Sequence, residues 1–130
     1  MENFPLIITL SADDIQPAEF VSFIESNYEN IVSTSIQTHE KEGRNATEEF
    51  MKLVFSEGMA VNLLSSIIFE TVKFSFMKLK ATFFDAKPKA VITLKNGKKI
   101  ELPATMSEVE INAELTDCLQ KGVLSIRFDS

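Results

Sequence analysis

The apolar positions of this 130-residue chain change period several times, and each change marks an element. Phe4–Leu10, "FPLIITL", is apolar on both faces, which predicts an interior strand. After it, Pro17 suits a first helical turn. Phe20, Ile24 and Tyr28 then recur at helical spacing, with Val21 and Phe23 widening the stripe. Ile31–Thr38, "IVSTSIQT", is rich in β-branched residues and predicts a second strand. His39–Thr47 is polar and contains Gly43, so it reads as a loop. Asn45, with Glu48 three residues on, forms a capping-box pattern at the start of a helical stretch reaching Lys80. A straight helix of that length would run about 54 Å, longer than a compact body of this size. Two helical pieces, or a kink at Gly58, are therefore expected.

The C-terminal third is more regular. Asn96-Gly97 separates two short strands in "AVITLKNGKKIEL" and predicts a hairpin. A two-residue loop would put Ile92 on the same face as Glu101. A three-residue loop, Lys95-Asn96-Gly97, pairs Ile92 with Ile100 instead. That register gathers Ala90, Ile92, Leu94, Ile100 and Leu102 on one face, and it predicts a left-handed Gly97 in a bulge. Ser107 with Glu110 repeats the capping-box pattern before a helix whose stripe is Ile111, Leu115, Cys118 and Leu119 and which Gly122 ends. Val123–Phe128 closes as a strand, with Leu124, Ile126 and Phe128 expected inward. The expected fold is one α+β domain over residues 1–130. It is a split β-α-β / β-β-α-β, ferredoxin-like sheet with a long apolar helical segment inserted after the second strand.

That segment raises the main functional question. From Gly58 to Lys80 one stripe holds Val61, Leu64, Ile68, Val72, Phe76 and Leu79 and is assigned to the core. A second stripe holds Ala60, Leu63, Ile67 and Phe74. Asn62, Ser66, Lys73 and Lys80 form a wet edge between the two. A surface helix needs only one apolar stripe. Leu63, Ile67 and Phe74 are therefore expected in a homo-oligomer or protein-partner interface, unless a neighbouring segment covers them. Glu70, Lys73 and Lys78 interrupt the apolar run, so no transmembrane span is expected.

Charge adds a second candidate surface. The chain has net charge −6, yet residues 73–99 hold eight Lys against one acid, Asp85. Lys87, Lys89, Lys95, Lys98 and Lys99 form the candidate patch for an anionic partner, a nucleotide or nucleic acid among them. A dipole-complementing helix end and a solvated hairpin tip explain the same lysines without a partner. Nucleic-acid sites more often combine Arg forks with stacking aromatics.

No catalytic, cofactor or metal motif stands out. His39 is the single histidine, and Cys118 the single cysteine sits on an apolar helical stripe. Neither an enzyme active site nor a cofactor is expected. One cysteine and an N-terminus lacking a basic start point to a cytoplasmic protein. In the order of its elements, and above all in "LIITLSADDI" and "AVITLKNGKKIELPATMSEVE", the chain resembles the effector-associated constant components of bacterial conflict systems. The resemblance implies a small non-enzymatic module coupling an effector to a sensor or activating partner, with no catalytic residues to carry over.

Overall fold

A computed structural model describes residues 6–12, 14–28, 32–40, 47–55, 59–82 and 85–129, apart from the side chains at 6, 39, 40, 47 and 48. Its elements run β1 (Leu6–Ala12), α1 (Pro17–Tyr28), β2 (Val32–Glu40), β3 (Thr47–Phe55), α2 (Val61–Thr82), β4 (Lys89–Leu94), β5 (Lys99–Pro103), α3 (Glu108–Lys121) and β6 (Val123–Asp129). The six strands form one mixed sheet in the order β2-β3-β1-β6-β4-β5.

The pairings give this order a simple logic. β3 is antiparallel to both β1 and β2, so β1 and β2 run the same way with β3 between them. β4 is likewise antiparallel to both β5 and β6. Each half is thus a strand–helix–strand crossover split by a third strand, and the halves join through the parallel β1–β6 pair. Both crossovers step in the same direction across the sheet between strands of the same sense. Right-handed connections then put α1 and α3 on the same face. Burial agrees. Ile8, Leu10, Met51, Leu53, Phe55, Ala90, Ile92, Leu102, Ile126 and Phe128 are buried and share one side of the sheet by register. Among the described residues, the other face carries no helix.

Three expectations are corrected. The strand order is not a simple ferredoxin-like arrangement, and the sheet has a sixth strand, β3. β3 occupies the stretch expected to begin the long helix. "TEEFMKLVF" carries both periods: Phe50, Met51 and Val54 suit a helix, while Met51, Leu53 and Phe55 alternate as a strand does. Pairing with β1 and β2 on either side buries the alternating set completely, which settles the choice. Asn45, Gly58 and Phe83-Phe84 lie outside the described residues. The third correction is Leu124. A bulge opposite Thr93 and Leu94 lets Val123 take the inward position, and Leu124 becomes the extra, half-exposed residue.

The hairpin follows the segregated register. Ile92 pairs with Ile100 and Val91 with Glu101. Leu94 N–H donates to Lys98 O and Gly97 N–H to Leu94 O, each at 2.9 Å, and Gly97 has φ +87°. An added Cβ at Gly97 would meet nothing within 4 Å. Gly97→Ala therefore tests backbone strain alone, and it is expected to lower unfolding stability by about 1 kcal/mol in urea titration. A loss near zero would contradict the left-handed turn. Gly122 (φ +98°) has a second constraint, since a Cβ there would lie 2.8 Å from Lys95 Cδ. Ser107 caps α3 by accepting from Glu110 N–H at 3.2 Å.

Candidate interaction surface

α2 is the middle helix of the covering layer, and its sequence divides its circumference into three parts. Leu64, Ile67, Ile68, Thr71, Val72, Ser75 and Leu79 form the buried arc. The hydroxyls on that arc are satisfied inside the helix: Thr71 Oγ1 donates to Ile67 O and Ser75 Oγ to Thr71 O, both at 2.8 Å. On one flank lies α1. Phe74 stacks on Phe23 at 4.5 Å between ring centroids and meets Phe20 edge-on at 6.2 Å. Lys78 Nζ donates to Glu19 Oε1 at 3.0 Å. Glu19 Oε2 accepts from Gln16 N–H at 3.1 Å, so one carboxylate both caps α1 and holds α2. Lys78 and the Gln16 N–H hold the Glu19 carboxyl below its usual pKa, outweighing its slight desolvation.

On the opposite flank lies α3, and here the contact stays open. A depression of about 480 Å³ is lined by Asn62, Ser65, Ser66, Phe69, Glu108, Val109, Asn112 and Thr116. A second, of about 330 Å³, is lined by Lys73, Phe76, Met77, Lys80, Ala104, Met106, Glu108 and Ile111. Glu108 borders both, and its Oε1 lies 3.3 Å from Lys73 Nζ. The ion pair thus crosses one groove between α2 and α3 and divides it into two compartments. Lys73 Nζ also sits 5.3 Å from the centroid of the Phe69 ring. The compartments combine amide and hydroxyl groups with apolar walls. Val109 is 80% exposed in one and Met77 62% exposed in the other.

Of the three residues expected at an interface, only Leu63 is at the surface. Ile67 has no exposed area, and Phe74 is half-buried, stacked against Phe23 of α1. Among the described residues, α1 covers the second stripe at Phe74, through Phe20 and Phe23. The five candidate lysines fall into two groups. Lys95, Lys98 and Lys99 surround the hairpin turn, and Lys87 and Lys89 lie at the other end of β4. Lys89 and Lys95 stand six residue steps apart along the strand, about 20 Å. Lys89 Nζ is bound to Glu101 Oε1 at 2.9 Å, and that contact raises its pKa. Lys73, Lys78 and Lys89 all have carboxylate partners. Lys87, Lys95, Lys98 and Lys99 are exposed and carry no ion pair among the described residues.

Cys118 is buried on α3, and burial, helped by nearby Asp117 and Glu114, pushes its thiol pKa up. His39 lies in β2, its side chain outside the described part. Among the described residues no helix is long and apolar enough to cross a membrane.

The groove was only half visible in the sequence. Asn62, Ser66, Lys73 and Lys80 marked its α2 wall as the wet edge, but nothing local said that α3 would lie beside them. Compared with known proteins, the chain matches no protein-family model, no curated protein and no solved structure.

Proposed function

We propose that this chain is a non-enzymatic protein–protein interaction module that receives its partner in the α2–α3 groove. In this reading it is a cytoplasmic adaptor coupling an effector to a sensor or activator in a bacterial defence system. The observation that carries the reading is the exposure of Val109 and Met77 on the walls of that groove. Large apolar side chains held out on two rigid helices, beside polar groups that can orient a ligand, suit a docking segment with a few apolar anchors. The alternative, a nucleotide or nucleic acid on Lys73–Lys99, has less support. Three of the eight lysines bind carboxylates, and the candidate patch is split between the two ends of β4.

The test is co-expression with the products of neighbouring genes, followed by purification on the wild-type chain and on a Met77→Glu/Val109→Glu variant. Both sites are exposed, so the variant is expected to melt within about 0.5 kcal/mol of wild type. Wild type should retain a stoichiometric protein partner, and the variant should lose it by at least about tenfold in affinity. Equal retention by both chains, or none by either, would overturn the proposal.

A further inference from the structure

The sheet has two edges, and they are built differently. β5 is five residues long and carries Lys99, Glu101 and Pro103, the kinds of residue that stop a further strand from adding. β2 is nine residues long, pairs with β3 along its whole length, and from Val32 to Thr38 has no charge, proline or glycine. Among the described residues no strand pairs with its outer side. β2 also outruns its helical cover. Val32, Thr34 and Ile36 point to the helix side, in register with the buried Phe55, Leu53 and Met51. Exposure nevertheless rises along them, from 6% at Val32 to 46% at Ile36. The margin of the core is open along this edge.

We infer that β2 is a self-association edge, on which a second copy of this chain adds its own β2 antiparallel about a two-fold axis at Ser35. That register sets Val32 against Thr38 of the second copy, Ser33 against Gln37, Thr34 against Ile36, and Ser35 against itself. Because residues directly opposite share a face, each helix-side residue meets a helix-side residue, and the two sheets continue as one. Every pair is neutral, which matters for a chain of net charge −6. His39 and Glu40 follow the run from 32 to 38, and centring it on Ser35 keeps the Glu40 residues of the two copies apart. A foreign strand would find no charge on Ser33, Ser35 and Gln37 to recognise. The strand's own neutral, two-fold-compatible pattern is what selects a second copy. A seven-residue ladder is about 24 Å long. It buries less than a standard interface, so the dimer is weak, with Kd on the order of tens of micromolar.

Sedimentation velocity of the whole chain from about 5 µM to about 1 mM reads this directly. The wild type should pass from monomer to dimer. Ser35→Lys, which sets two ammonium groups opposite each other across the axis, should weaken dimerisation at least about tenfold. Its melting temperature should stay unchanged, since Ser35 is exposed. Ser35→Cys should form a reducible dimer under mild oxidation, because directly opposed residues lie within disulfide reach. Gln37→Cys, displaced from the axis, should not. A wild type that stays monomeric at about 1 mM overturns the inference. So does a Ser35→Lys variant that dimerises as wild type does, or cross-linking at position 37 in preference to 35. The groove variant Met77→Glu/Val109→Glu should dimerise normally, which separates this result from the partner-docking proposal.

Discussion

Ile67→Glu is expected to leave the chain unfolded. Ile67 has no exposed area, so the substitution places a carboxylate in the core with no partner designed for it. Burial of an unpaired charge costs several kcal/mol, and a domain of this size has only about 5–15 kcal/mol in total. Circular dichroism should show loss of the cooperative thermal transition, or a midpoint lowered by tens of degrees. Leu63→Glu, one turn away on α2 and 42% exposed, should shift stability by no more than about 0.5 kcal/mol. A folded Ile67→Glu protomer would mean that this side of α2 faces away from the core.

Phe20→Ala should have the next largest effect. Phe20 is 1% exposed and joins three elements. It stacks on Phe128 of β6 at 5.9 Å and meets Phe74 of α2 edge-on, while Phe128 in turn meets Phe76 at 6.3 Å. With Phe23 on Phe74 and Tyr28 edge-on to Phe23, six rings run as one chain of contacts from α1 through α2 to the central strand. Removing the Phe20 ring leaves a cavity at the junction, and a loss of about 3–5 kcal/mol is expected in urea titration. Phe23→Ala, at a half-buried position, should cost less than half as much. Equal losses at the two positions would contradict the idea that the ring cluster is anchored at Phe20.

The contrast between Ile67 and Leu63 shows where the sequence was informative. Helical periodicity correctly gave α2 a second apolar stripe, and the wheel put Leu63, Ile67 and Phe74 on it. The identity of what covers that stripe is a tertiary fact. At Phe74 α1 supplies it through Phe20 and Phe23, more than fifty residues away, which no local pattern encodes. β3 failed for a related reason. Its nine residues fit two periods, and only strands on both sides favour the shorter one. The 95–97 hairpin succeeded because a single local constraint, segregating Ile92 and Ile100 from Val91 and Glu101, sufficed to fix its register. The groove stands between these cases. Its α2 wall was legible as a polar stripe, whereas its α3 wall and the Lys73–Glu108 pair across it depend on two helices meeting.

α2 meets α1 through stacked rings within one chain, and the α2–α3 groove is the open side of the helical layer. Isotope-filtered nuclear Overhauser measurements on a mixture of labelled and unlabelled chains test this most directly. Phe23–Phe74 ring contacts should appear as intramolecular cross-peaks, undiminished on dilution. Contacts seen only between labelled and unlabelled chains, and fading on dilution, would make that face of α2 an intermolecular surface instead.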